Sequence, residues 1–88
     1  MPTICEFLGC KVYMFYQDHS PPHIHVIGKG FRAALSIPDG KLLAGTLPRR
    51  VQGVAKMWVR QEAVALMQNW QRAEAGEVLQ QVKPPGGR

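Results

Sequence analysis

Apolar and polar residues alternate through the first half of the chain and follow a helical spacing in the second half. Short runs of aromatic and β-branched residues, separated by turns that contain glycine or proline, are typical of antiparallel strands. Such runs lie at 4–7, 10–16, 23–27, 31–37 and 41–44. The pattern therefore predicts a β-meander of about five strands.

The second of these runs is largely apolar on both of its faces. One face would carry Cys10, Val12, Met14 and Tyr16, and the other Lys11, Tyr13 and Phe15. Because an apolar pattern on both faces is typical of a strand that is covered on both sides, we expect this strand to be central and doubly covered. A homodimer partner would supply one of the two covers.

Apolar residues recur at helical spacing from Pro48 to Ala75. Thr46 is the predicted N-cap, and Pro48 suits a first helical turn. The apolar residues form two stripes that differ by about a quarter turn, and one straight helix would span about 42 Å, more than a small domain needs. We therefore predict a break near 60–61 and two helices, or one strongly bent helix, on one face of the sheet, ending at Gly76. The predicted fold class is α+β.

The chain of 88 residues suffices for one domain with a modest core. Residues 78–82 are expected to add a short extended piece, so that residues 1–83 form a single α+β domain and residues 84–88, rich in proline and glycine, form a flexible tail. No apolar run approaches the roughly 20 residues of a membrane span, and the N-terminus lacks a signal-peptide pattern. We expect a cytoplasmic protein without membrane contact. In that reducing compartment Cys5 and Cys10 would be buried free thiols.

The formal net charge of +5 permits several kinds of partner and selects none of them. Four basic residues cluster on the first predicted helix: Arg49, Arg50, Lys56 and Arg60. Such a row could follow the phosphates of RNA or DNA, with an affinity that depends on salt. The alternative is that the row is only the solvated face of the helix.

All three histidines lie within residues 18–25, which read D-H-S-P-P-H-I-H. Residues i and i+2 of a strand share a face, so His23 and His25 would project together, about 6.6 Å apart along the strand. The double-proline corner would bring Asp18 and His19 back toward them. These four residues are the candidate ligands of a divalent metal such as zinc, whose bonds to imidazole nitrogen are about 2.1 Å long. With three ligands bound, an open coordination position would remain for catalysis.

A metal-free alternative uses the same residues as acid and base. Imidazole titrates near neutral pH, so His19 paired with His23 or His25 could cleave RNA by transferring a ribose 2′-hydroxyl onto the neighbouring phosphate. A structural role, in which the histidines cap a turn or pack on proline, is the third interpretation. The residues alone leave all three open.

The sequence resembles a bacterial domain-of-unknown-function family, number 4160. The matching positions are Pro2-Thr3-Ile4, Gly9, Lys11 to Met14, Asp18-His19-x-Pro21-Pro22-His23-x-His25, Gly45-x-Leu47-Pro48, Trp58 and Asn69-Trp70. The chain departs from the pattern at Cys5, Glu62 and Ala65.

The family resemblance implies a role rather than a reaction. Members of this family have no established activity, are small and prokaryotic, and are often encoded beside a second small protein in an arrangement that looks like a toxin–antitoxin pair. The resemblance thus implies a component of a two-protein module that acts through a protein partner encoded nearby. A His-based hydrolase or ribonuclease and a nucleic-acid-binding module are the alternatives.

Overall fold

The chain folds into one five-stranded antiparallel sheet followed by two helices, as seen in a computed structural model that describes residues 2–86. The strands are β1 (Thr3–Phe7), β2 (Cys10–Tyr13), β3 (His23–Gly28), β4 (Phe31–Ser36) and β5 (Leu42–Thr46), and the helices are α1 (Arg49–Gln61) and α2 (Ala63–Ala75). Each strand pairs with the next one along the chain, in the order β1-β2-β3-β4-β5. The predicted α+β class and the meander are confirmed.

The core lies between the helices and one face of the sheet. Alternate strand residues on this inner face are fully buried, among them Val12, Ile24 and Val26. The helices contribute Val51, Ala55, Trp58, Val59, Leu66, Trp70 and Ala73. The two apolar stripes of the sequence are therefore the buried sides of α1 and α2.

The helical segment breaks at Glu62, next to the predicted position. Its backbone leaves helical geometry, with φ −104° and ψ 22°, while its N–H still donates to the carbonyl of Trp58. The predicted N-cap was wrong. Thr46 pairs with Arg32 as the last residue of β5, and α1 instead follows Pro48 without a side-chain cap.

The expected cover on the second face of β2 does not come from within residues 2–86, and a cover from a homodimer partner stays a prediction. The opposite, outer face of the sheet carries Lys11, Tyr13, His25, Ile27, Arg32 and Ala34, which are exposed or only half-buried. Both helices lie against the inner face, so nothing within residues 2–86 covers this side. β2 lies one strand in from the edge, between β1 and β3.

The segment after α2 runs along β1 without forming a strand. The Val82 N–H donates to the carbonyl of Ile4 (2.8 Å), and the Gln81 side chain donates to the carbonyl of Thr3 (2.7 Å). The indole N–H of Trp58 donates to the carbonyl of Lys83 (2.6 Å). Of the predicted tail, Pro84 and Pro85 are half-buried, and residues 87–88 lie outside the described residues.

Asn69 fixes this C-terminal segment to α2. Its side chain is buried, its amide nitrogen donates to the carbonyl of Gln80 (2.7 Å), and its Oδ1 accepts from the Gln80 N–H (3.0 Å) and from Arg72 (2.9 Å). Asn69 therefore pairs with both the N–H and the carbonyl of Gln80, as a residue of a neighbouring strand would.

Two further expectations concern the thiols and the membrane. Cys5 and Cys10 are free and buried, and burial raises the pKa of both thiols. Neither helix is long and apolar enough to cross a membrane, judged over residues 2–86.

Candidate metal centre

The loop between β2 and β3 brings the acidic residue of the motif back over the start of β3. Gln17 has a positive φ of 52°, and its N–H donates to the carbonyl of Ala73 at the end of α2 (3.3 Å). This anchor sets the path of the next residue, Asp18. After the Pro21-Pro22 corner, the chain enters β3 at His23.

Asp18 contacts all three imidazoles. Its Oδ2 lies 2.9 Å from His23 Nε2 and 3.3 Å from His25 Nε2, and its Oδ1 lies 2.9 Å from His19 Nδ1. The rings of His23 and His25 have centroids 4.9 Å apart. The expected shared face is thus observed: the two rings meet on one side of β3, while Ile24 between them is buried in the core.

His23 is the deepest member of the cluster. Its side chain is 4 % exposed and packs against Trp70, with ring centroids 5.3 Å apart. Its Nδ1 donates to the carbonyl of Pro21 (2.7 Å). With Nδ1 bonded to this carbonyl, Nε2 is the ring nitrogen that faces Asp18 and the one that would bind a cation. Metal-binding histidines are commonly oriented in this way, by donating the other ring N–H to a backbone carbonyl.

His25 lies at the solvent side of the cluster. Its side chain is 26 % exposed, and the Phe15 ring stands edge-on to it with centroids 4.4 Å apart. Burial lowers the pKa of His25, and the charge of Arg32 acts in the same direction, although the hydrogen bond to Asp18 opposes both. A histidine that stays neutral is available as a metal ligand or as a base.

The carboxylate of Asp18 is held in its ionised form. Burial alone would raise its pKa, but the His19 backbone N–H (2.8 Å), the His25 hydrogen bond and the nearby imidazoles outweigh burial. The pKa of Asp18 is therefore below its ordinary value. A carboxylate that is ionised across the neutral range can bind a cation without first losing a proton.

His19 differs from the other two histidines. Its side chain is 84 % exposed and touches the outer oxygen of Asp18. Among residues 2–86, only Asp18, His23 and His25 place one ligand atom each within 4.8 Å of one another. Of the four predicted ligands, three converge, and His19 stands beside them.

The two distances from Asp18 to the imidazole nitrogens are close to those of a tetrahedral cation site. With metal–ligand bonds near 2.1 Å, ligand atoms in a tetrahedral site are roughly 3.4 Å apart. The 3.3 Å from His25 Nε2 to Asp18 Oδ2 agrees with this, and the 2.9 Å to His23 Nε2 would have to lengthen by about half an ångström. Every buried polar side-chain atom within residues 2–86 already has a hydrogen-bond partner. A cation bound here would therefore displace the existing contacts between Asp18 and the two imidazoles, because these atoms already have hydrogen-bond partners.

An open groove on the outer face of the sheet begins at His25. It has a volume of about 380 Å³, and its lining includes Phe15, His25, Ile27, Arg32, Ala34 and Ala44. We call it the outer groove. Neither Arg32 nor Phe15 was predicted as a site residue. The register of the meander, which pairs His25 with Ala34 and Ile27 with Arg32, is the signal that could have found Arg32.

The predicted nucleic-acid-binding residues lie on α1 and take no part in the cluster. All four are exposed: Arg49, Arg50, Lys56 and Arg60. The Arg60 guanidinium donates to the carbonyl of Asp39 (3.1 Å), which holds it against the β4–β5 turn. Arg49 and Lys56 border a shallow recess with Gln52. Binding of RNA or DNA by this row stays a prediction.

Comparison with known proteins identifies the family to which the chain is similar. The model of the family described as "Domain of unknown function (DUF4160)" matches residues 9–71, more than half of the chain. The chain belongs to this family. The DUF4160 match includes the whole Asp18–His25 motif and the Asn69-Trp70 pair, whereas the segment Pro2 to Ile4 precedes it. No curated protein and no solved structure matches the chain.

Proposed function

We propose that this DUF4160 protein is a metal-dependent hydrolase of the bacterial cytoplasm, with Asp18, His23 and His25 holding a divalent cation such as zinc. The observation that carries the proposal is the convergence of one carboxylate oxygen and two imidazole nitrogens within 4.8 Å. Two imidazoles and one carboxylate are an established ligand set for catalytic zinc, and three protein ligands leave a coordination position free.

Each residue of the cluster has a distinct role in this proposal. A bound divalent cation lowers the pKa of water and so supplies a nucleophile near neutral pH. His23, fixed by its bond to the Pro21 carbonyl and by Trp70, sets the inner wall of the site. His25 faces the outer groove, where substrate would enter. His19 is free to carry protons to and from the solvent, because its imidazole is exposed and hydrogen-bonded only to Asp18 among the described residues.

Titration of chelator-treated protein with zinc, followed by calorimetry, tests the cation site. We expect one equivalent to bind to the wild type and to His19→Gln, and Asp18→Asn to weaken binding by at least about tenfold, since it replaces a charged ligand with a neutral one of the same shape. His25→Gln should weaken binding similarly. His19→Gln should instead lower turnover at unchanged zinc affinity.

The outcome for His19 separates a cation site from a hydrogen-bonded cluster. If the wild type takes up no metal, or if His19→Gln weakens binding as much as Asp18→Asn does, the cation site is refuted. Melting curves of each variant without metal show whether a loss of binding reflects a loss of fold. The metal-free alternative, with the histidines as acid and base, would appear as activity that survives chelation.

A second candidate function, in a toxin–antitoxin-like two-protein module, is favoured by the exposed edge of the sheet. β5 pairs only with β4 within the described residues, and Leu43 at its edge is an exposed large apolar side chain. Exposed strand edges bind partner strands by main-chain hydrogen bonds. Co-expression with the protein encoded beside it should give a complex that Leu43→Lys disrupts and that Val64→Lys, an exposed apolar position on α2, leaves intact. Equal loss in both variants would contradict binding at β5.

A further inference from the structure

The outer groove has the form of a small-molecule site. Its volume of about 380 Å³ lies within the range that ligand sites of small molecules occupy. The floor is made of small side chains, because Ala34 pairs directly with Ala44 across β4 and β5. The Phe15 ring forms a wall on the side of His25. Small floor residues and one aromatic wall leave a flat apolar space that fits a planar body.

The groove carries its charge at one end. Among its described lining residues, Arg32 is the only one with a full charge at neutral pH. Arg32 faces Ile27 across the β3–β4 pair, two residues along β3 from His25. Two residues of a strand span about 6.6 Å, close to the length of a substituted aromatic ring. The backbone register thus places Arg32 about two strand residues along the groove from His25 and the Asp18–His25 cluster.

We propose that the outer groove binds a small organic anion with a planar apolar body, placing its carboxylate or phosphate group on Arg32 and its other end at His25. An arginine guanidinium forms paired hydrogen bonds with either kind of anion. This proposal rests on the proposed hydrolase function only in naming the His25 end as the place of reaction. Binding of the anion itself needs no metal.

The probes are benzoate, phenylphosphonate and the neutral analogue benzamide, whose binding is followed by NMR titration of the chelator-treated protein. We expect benzoate or phenylphosphonate to bind at least about tenfold more tightly than benzamide, because a hydrogen bond to a charged group adds that much affinity. Arg32→Gln should remove this preference. Lys11→Gln is the matched control, since it deletes one positive charge from the outer face next to Ile27 without lining the groove. Ala34→Leu should abolish binding of all three probes by filling the floor.

Equal affinity for benzoate and benzamide, or equal losses in Arg32→Gln and Lys11→Gln, would overturn the proposal. A preference for phenylphosphonate over benzoate would assign the natural anion to the phosphates, and the reverse would assign it to the carboxylates. Repeating the titration with Asp18→Asn separates the two proposals. If the wild type binds no zinc but Asp18→Asn still binds the anion, the proposed hydrolase function is refuted and the anion site in the outer groove is supported. Zinc binding without anion selectivity would refute the groove alone.

Discussion

Replacing Gly45 with alanine should destabilise the protein strongly. Gly45 lies in β5 with φ +78°, a left-handed conformation that side chains disfavour. A Cβ atom at this position would lie 2.2 Å from the carbonyl oxygen of Arg32 and 2.9 Å from the Cα of Ala33. Both neighbours are backbone atoms of the paired strand β4, so a side-chain rotation cannot relieve the overlap.

The expected loss follows from these two effects. The left-handed conformation costs an alanine about 1–2 kcal/mol, and the overlap adds the cost of moving β5 away from β4. We expect a total of roughly 3 kcal/mol in the free energy of unfolding, within the upper range for single substitutions. For a domain of this size, that loss lowers the melting temperature by on the order of 15 °C.

Gly53→Ala is the matched control, since the same chemical change should have the opposite sign there. Gly53 lies within α1, and a Cβ atom there would meet nothing within 4 Å beyond its chain neighbours and the backbone of its own helix. Alanine in a helix is favoured over glycine by about 0.5–1 kcal/mol, so the melting temperature should rise by a few degrees. Thermal melts followed by circular dichroism measure both variants. If Gly45→Ala melted at or above the wild-type temperature, the path of β5 described above would be refuted, and with it one border of the outer groove.

Three further predictions concern the cluster, the C-terminal segment and the thiols. Because burial lowers the pKa of His25 from its ordinary value of 6.5, the unfolded chain binds more protons than the folded chain between the two pKa values. The stability of metal-free protein should therefore fall as the pH drops below 6.5, and melts across this range should show a shallower fall in His25→Gln. Asn69→Ala should cost about 2–4 kcal/mol, since it removes three hydrogen bonds and leaves space in the core. Hydrogen exchange should speed up first at Gln80. Ellman's reagent should label neither Cys5 nor Cys10 in the folded protein and both after denaturation, and rapid labelling of the native state would contradict their burial.

Much of the fold follows from local patterns in the sequence. Turn residues and alternating strands gave the meander, and the spacing of His23 and His25 placed both rings on one side of β3 because strand side chains repeat every second residue. The break near 60–61 followed from helix length. These features depend on neighbours in the sequence, so no tertiary contact had to be known.

The remaining site features depend on contacts between distant segments. The return of Asp18 was expected from the double-proline corner, but its path also requires the left-handed Gln17 and the bond from Gln17 to the end of α2, neither of which has a local signal. Arg32 enters the groove only through the β3–β4 register. The place of Trp70 beside His23 depends on how α2 lies against the sheet. The apolar pattern of β2 predicts a cover on the outer face, and residues 2–86 supply none, so local patterns alone cannot say what covers this face.

The bond from Val82 to Ile4 places the two end segments of the described chain side by side. A short linker across this junction should make the protein a good subject for circular permutation. New ends opened at the exposed Lys29-Gly30 turn would then let β3 and β4 be separated in sequence without being separated in space.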